Sequence, residues 1–223
     1  MIGIIAAMNP EYALFKTKEN ELFNGAKYKI VKSGIGPNAA ADAALDLIKS
    51  GCDTIIGWGF AGGLSEKFKC GQLIIANRFA TEDAHYHSPT PLQQEFTKRL
   101  HSLNPNEGVI FAADRPILKA KEKQMLAEKF GSVAVDMESL GIISVTKQKA
   151  VPYLSIRVIL DDSKTTLPTW ISHLLKENKS SRRAILLSKQ LFKPGELYSL
   201  VKLAFSYKRA AKKLNRISNL LAK

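Results

Sequence analysis

Glu11, Glu138, Arg157 and Asp161 are the charged residues whose settings most need explaining. Glu11 follows "IGIIAAMNP", Glu138 closes "AVDME", and Arg157 and Asp161 lie within "SIRVILDD". An apolar strand that carries Arg157 between "YLSI" and "VIL" must provide a carboxylate or an anionic ligand, because a buried guanidinium without one is costly. Glu11 or Glu138 can supply that partner. Residue types and spacing alone admit two readings: a ligand site at strand ends, or solvated helix starts with a structural ion pair.

The stretch "GWGFAGG", Gly57 to Gly63, adds a fifth feature and reads literally as G-x-G-x-x-G. A dinucleotide fingerprint needs a strand, a tight turn and a helix facing the pyrophosphate, with an acidic residue about 20 positions on. Glu82 and Asp83 stand at a suitable distance. However, only "LSEKFKCG" separates the glycines from the next strand candidate, "QLIIANRFA", and eight residues are too few for a crossover helix. The glycines are therefore read as backbone that turns tightly, or approaches something closely, at the carboxyl end of a strand.

These residues need a scaffold, and the chain alternates strand and helix patterns. "IGIIAA", "KYKIVKS", "DTIIGWGF", "QLIIANRFA", "GVIFAA", "SVAVDM" and "PYLSIRVIL" read as strands. "PNAAADAALDLIKSG" reads as a helix opened by Pro37 and stopped by Gly51, with further helices at 91–102, 118–130 and 138–149. The pattern predicts an α/β protein whose largely buried, mixed sheet is flanked by helices in three layers, with ligands at the carboxyl ends of strands. Beyond Leu167 the strand candidates stop, and "RRAILLSKQLF" and "ELYSLVKLAFSYKRAAKKLNRISNLLA" read as helical. Residues 1–166 are thus expected to form the core and 167–223 a basic helical extension packed on it.

Composition is that of a soluble globular protein, 45% hydrophobic and 24% charged. No apolar run approaches the roughly 18 residues of a membrane span, and the N-terminus has no signal-peptide pattern, so a cytoplasmic protein is expected. Cys52 and Cys70 have neither C-x-x-C spacing nor a histidine cluster, so no disulfide and no metal site is expected. The net charge of +13 is concentrated in residues 171–223, which hold 13 Lys and Arg against Glu177 and Glu196.

The ordered motifs "IGIIAAM…E", "SGIGPNAA", "GFAGGL", "AVDMES" and "RVILDDS" resemble the purine nucleoside phosphorylase and methylthioadenosine/S-adenosylhomocysteine nucleosidase superfamily across residues 1–165. "DDSKTTLP" and the basic helical tail look more like one branch, the hopanoid-associated phosphorylase-like proteins, thought to remove adenine from adenosylhopane. The resemblance implies a nucleoside phosphorylase-like fold, no cofactor, and cleavage of an N-ribosyl bond. In it Glu138 accepts hydrogen bonds from ribose hydroxyls, with Met137 beneath the sugar. Asp161 faces the purine N7 and protonates the departing base. Glu11 orients and deprotonates the attacking water, assisted by Arg157, near the loop of Ser33 and Gly34. Phe60, Ala61, Gly62 and Ile117 fall against the substrate. His85, with Tyr86 and His87, is a candidate for the 5′ side of the ribose, a surface loop being the alternative.

Such a site stabilises both ends of one transition state, a carboxylate beside the positive sugar and an acid beside the negative base. Asp161 must be protonated to act, which requires burial near Asp162 and Glu138 to raise it. The setting after the first strand, Asn9, Pro10 and Glu11, is acidic where the superfamily's phosphorylases place an anion site. Water is therefore the expected nucleophile and inorganic phosphate the alternative co-substrate. Two positions depart from the nucleosidase pattern: Phe60 stands where Ser or Thr is common, and Pro116 where an aromatic is expected to stack on adenine. Both bear on the substrate more than on the reaction.

The expected partners are an adenosyl nucleoside, small or lipid-linked, and further copies of the chain. The tail's apolar spacing, interleaved with Lys202, Lys208, Arg209, Lys212, Lys213 and Arg216, suits the inner face of a membrane better than nucleic acid, for which no reading module accompanies the charge. A solvated face is the plain alternative. Two rival functions stand beside adenosylhopane cleavage: a methylthioadenosine/S-adenosylhomocysteine nucleosidase, and a nucleoside-binding or membrane-docking protein without turnover.

Overall fold

A computed structural model describes residues 1–16, 21–177, 182, 186, 188 and 194–222. In chain order the elements are β1 (Ile2–Ala6), α1 (Asn9–Lys16), β2 (Tyr28–Lys32), α2 (Pro37–Lys49), β3 (Thr54–Gly63), β4 (Leu73–Ala80), β5 (His85–His87), α3 (Thr90–Arg99), β6 (Asn106–Ala112), α4 (Ala120–Phe130), β7 (Ser132–Asp136), α5 (Ser139–Gln148), β8 (Tyr153–Asp161), α6 (Trp170–Lys176) and α7 (Pro194–Leu221). The "RRAILLSKQLF" helix candidate falls largely outside the described residues.

The mixed sheet runs β2-β1-β3-β7-β6-β4-β5, and β8 pairs with both β3 and β4. The strand β3 makes this possible. Its first half pairs with β1 from Thr54 to Trp58, its last residues Gly62 and Gly63 pair antiparallel with β7, and β8 runs parallel along its other edge. The strands β3, β8, β4, β6 and β7 thereby close a circuit. A ten-residue strand must curve to change partners in this way, and its glycines together with a register shift at Ala61/Gly62 permit the curvature. The "GWGFAGG" segment is thus the second half of a strand, where the sequence suggested a turn as one option. The other option, a close approach, holds: a Cβ on Gly59, whose φ is +149°, would lie 2.3 Å from Glu11 Oε1.

Alternation along the strands divides the core between two faces. Ile2, Ile4 and Ala6 join Phe15, Trp58 and the α7 residues Ala210, Leu214, Ile217 and Leu221 on one side. Ile5 joins Ala40, Ala44 and Leu47 of α2 and Ile142 and Ile143 of α5 on the other. There α2 and α5 meet at backbone range, since a Cβ on Gly141 would lie 1.8 Å from the Pro37 carbonyl oxygen. A third cluster packs Val109, Phe111 and Val135 against Leu126, Ala127 and Phe130 of α4. The architecture is the three-layer α/β fold expected, with a basic C-terminal helix.

That helix spans 28 residues and is amphipathic. Its buried stripe, spaced at 210, 214, 217 and 221, anchors its second half, each large side chain contributing about 1.5–3 kcal/mol. Its first half leaves Tyr198, Val201 and Phe205 exposed. No described helix is long and apolar enough to cross a membrane. Cys52 and Cys70 are free and buried, and among the described residues no group of three or more His, Cys, Asp or Glu could hold a metal.

Candidate active site

Glu11 lies in the first turn of α1, two residues after the helix begins at Asn9 and five after β1 ends at Ala6. Its carboxylate is buried and accepts hydrogen bonds from the backbone N–H of Met8 (2.8 Å) and of Phe60 (2.9 Å). Burial pushes its pKa up, against these N–H donors and the Arg157 charge, which makes the carboxylate a stronger base than an exposed glutamate.

Arg157 is almost completely buried in β8, and its nearest partner is neither carboxylate anticipated from sequence. It is Asp136, at the end of β7: Nε donates to Asp136 Oδ2 at 2.8 Å and to Ser155 Oγ at 3.1 Å. Nη2 lies 2.7 Å from the same carboxylate oxygen and 3.7 Å from Glu138 Oε2. Burial opposes the guanidinium charge, but Asp136, Tyr153, Glu138 and Glu11 together hold the pKa above its ordinary value. Asp136 is held in turn by Ser139, which donates its backbone N–H to Oδ1 (2.9 Å) and its Oγ–H to Oδ2 (2.7 Å), and whose Oγ shares a further hydrogen bond with Tyr153 Oη (2.8 Å).

Glu138 caps this network. Its Oε1 accepts from the N–H of Gly36 at 3.3 Å, so the "SGIG" loop and the end of β7 meet. Burial first, and then Asp136 and Glu11, raise its pKa to about 7, although Arg157 and the Gly36 N–H pull the other way. In the same loop Ser33 Oγ donates to the Gly34 carbonyl at 2.7 Å, and Gly34 has φ +91°. Met137 is half-buried beside Glu138.

Asp161 ends β8, and its Oδ1 lies 3.6 Å from where a Cβ on Gly62 would be. Gly59 faces Glu11 and Arg157 in the same way. Gly59 and Gly62 stand three positions apart on β3, about 10 Å along the strand backbone. Burial raises the Asp161 pKa and Asp162 adds to the rise, as anticipated; Glu138 takes no part, and the opposing charge is Lys123. Lys123 is fully buried on α4, pairs with Asp161 Oδ2, and also donates to the carbonyls of Thr165 (2.9 Å) and Asp162 (3.2 Å).

Phe60 and Ala61 are buried in β3, and the Phe60 ring meets the Tyr207 ring of α7 at 5.6 Å. Burial raises the Tyr207 pKa, with the Glu11 carboxylate adding to it, so α7 reaches over this end of the sheet. A cleft of about 170 Å³ runs from Asp161 between the 164–168 loop, Ile171 and the α7 residues Tyr198, Lys202 and Ser206. Ile117 packs into the cluster beneath α4. His85 is exposed on β5 and lines a separate cavity of about 420 Å³ with Tyr86, His87, Lys147 and Tyr153. None of Glu11, Glu138, Arg157 or Asp161 lines that cavity.

Asp136 and Lys123 escaped the sequence reading, although both left a signal. In "AVDMES" Asp136 and Glu138 are two apart at a strand end, where alternate residues share a face. Lys123 is spaced three, four and seven residues from Leu126, Ala127 and Phe130, which puts a cation on the apolar face of its helix.

The model of a family described as the phosphorylase superfamily matches residues 2–193. The chain is 26% identical over 196 residues to a 5′-methylthioadenosine/S-adenosylhomocysteine nucleosidase of Staphylococcus epidermidis, covering 72% of this chain and 86% of that one. It superposes with a TM-score of 0.70 and 21% identity on the same kind of nucleosidase from Colwellia psychrerythraea in complex with adenine, over 100% of this chain and 96% of that one. It also superposes on the futalosine hydrolase of Helicobacter pylori with a TM-score of 0.69 and 18% identity, over 98% and 97% of the two chains.

Proposed function

Because the chain belongs to the phosphorylase superfamily, we propose that it is an N-ribosyl hydrolase that releases adenine from an adenosyl nucleoside, with water as the nucleophile. The observation that carries this reading is the division of labour along β3: Glu11, Arg157 and Glu138 gather at Gly59, and Asp161 stands at Gly62. The glycines that mark the two ends stand about 10 Å apart along the strand backbone, and in this reading the ribose lies between the general base and the acid.

In this mechanism Glu138 accepts hydrogen bonds from ribose hydroxyls and its negative charge stabilises the oxocarbenium ion. The C1′–N9 bond breaks with its electron pair moving into the purine, and Asp161 delivers a proton to N7. Glu11 takes a proton from water as its oxygen bonds to C1′. Water is favoured over phosphate because Arg157, the one guanidinium among the described residues at the cluster, is engaged by Asp136, and Glu11 and Glu138 would repel an anion.

The proposed substrate carries a large apolar 5′ group, adenosylhopane being the leading candidate. The cleft at Asp161 is walled by α7, whose exposed Tyr198, Val201 and Phe205 lie beside Lys202, Lys208, Arg209, Lys212 and Arg216. A face of that kind suits an anionic membrane surface, from which a lipid-linked nucleoside would enter the cleft. The named relatives favour a second reading, a small-thioether nucleosidase. A homo-oligomer belongs to the proposal too, with light scattering as its direct test.

The experiment is adenine release, followed by chromatography, from methylthioadenosine, S-adenosylhomocysteine, adenosine, inosine and adenosylhopane. Preference for the lipid nucleoside is the expected result. Preference for methylthioadenosine would establish the second reading, and silence with every substrate, alongside ligand-induced thermal stabilisation, would leave a binding protein.

A further inference from the structure

Lys123 has a place in the fold that packing does not explain. A lysine with no exposed surface must have every N–H satisfied, and its three acceptors are Asp161 Oδ2, the Asp162 carbonyl and the Thr165 carbonyl. All three belong to the end of β8 and the loop that lines the Asp161 cleft. The ammonium thus occupies Oδ2 and leaves Oδ1 outside the ion pair, the two oxygens lying 3.9 Å and 3.6 Å from where a Cβ on Gly62 would be.

We infer that Lys123 is the positioning residue of the leaving-group acid: it holds Asp161 by Oδ2, presents Oδ1 to the base, and compensates the carboxylate charge that remains when the proton has gone. The inference rests on the hydrolase reading and deepens it. In the step concerned the C1′–N9 bond breaks, its electron pair enters the purine, and the proton on Asp161 Oδ1 passes to N7. Asp161 becomes a carboxylate paired with the Lys123 ammonium, and Glu11 holds the proton taken from water until solvent returns the balance. A neutral residue at 123 would keep Asp161 protonated more readily but make it the weaker acid.

Other charges near Asp161 do not replace this one. Asp162 raises its pKa and Cys70 donates its backbone N–H to Asp162 at 2.6 Å. Lys164 and Lys202 line the outer cleft, both exposed, and Lys164 is paired with Glu66 at 2.8 Å.

The test compares the full-length wild-type chain with Lys123→Met, Lys123→Gln and Lys123→Arg, measuring kcat and KM for adenine release from the best nucleoside between pH 5 and pH 10, roughly the span in which carboxyl groups raised by burial titrate. Melting temperatures accompany each variant. The glutamine variant retains two donors without the charge, so it serves if the methionine variant does not fold. The expected result is a kcat lower by about tenfold to a hundredfold, with KM changed far less. The alkaline limb of kcat moves upward by about one pH unit, because an opposite charge has been removed from the acid. Lys123→Arg should restore the limb. A folded Lys123→Gln with an unmoved limb and unreduced kcat would overturn the inference while the hydrolase reading stands. A wild-type chain that releases no base from any nucleoside would overturn the reading beneath it.

Discussion

Asp161 and Glu138 are both carboxyl groups shifted upward by burial, but the proposed mechanism asks opposite things of them. Asp161 must hold a proton to give away, so Asp161→Asn should fold, keep Lys123 bonded to the Thr165 and Asp162 carbonyls, and lose about a hundredfold or more of adenine release. Near-normal turnover in that variant would remove it from the acid's role. Glu138 must be ionised to accept from ribose, so KM should rise as pH falls through about 7. The stability sign is the reverse. Its folded pKa lies above the ordinary 4.5, so the folded state binds the proton more tightly, and the group's stabilising contribution is lost as pH rises from about 4.5 through about 7. Glu138→Gln should flatten the melting temperature's pH dependence in that window; an unchanged profile would contradict the assignment. Arg157 was legible as a buried cation because it interrupts an apolar strand. Its partner Asp136 was not, because sequence offers several acids and only the fold brings one to 2.8 Å.

Among the elements, β3 ties the two halves of the site together. It carries the contact with Glu11 at Gly59 and the contact with Asp161 at Gly62, and it hands its edge from β1 to β7 between them. A Cβ at 59 would overlap the Glu11 carboxylate and strain a left-handed backbone, so Gly59→Ala should cost about 1–3 kcal/mol in urea unfolding. It should also cost more activity than that loss of stability explains, and full activity would show that Glu11 need not stand where it does. The strands β1 to β4 and β6 to β8 were readable as apolar runs, and α2 from its proline start and glycine stop. The short edge strand β5 was not, since "HYH" has no apolar face, and neither was the extension of β3 through its glycines, which depends on β7 and β8 arriving from more than 70 residues away. Long-range pairing leaves no local periodicity.

For the whole molecule, charge and shape converge on α7. Most of the net charge of +13 was visible in the tail's sequence, as was its apolar spacing; that the same helix walls the Asp161 cleft and meets Phe60 through Tyr207 was not. Cosedimentation with phosphatidylglycerol vesicles should succeed at low salt and weaken as salt rises, each close cation contributing about 1 kcal/mol. Phe205→Ser should weaken it further, and no binding by the intact chain would leave the face simply solvated. The reaction proposed for the site is hydrolysis. Its most direct test is to incubate the chain with its best adenosyl nucleoside in phosphate-free buffer made with ¹⁸O water, and to weigh the sugar product. Hydrolysis gives adenine release without phosphate and one ¹⁸O atom on the ribosyl product; release only when phosphate is added, with a ribosyl phosphate and no label, would identify a phosphorylase instead.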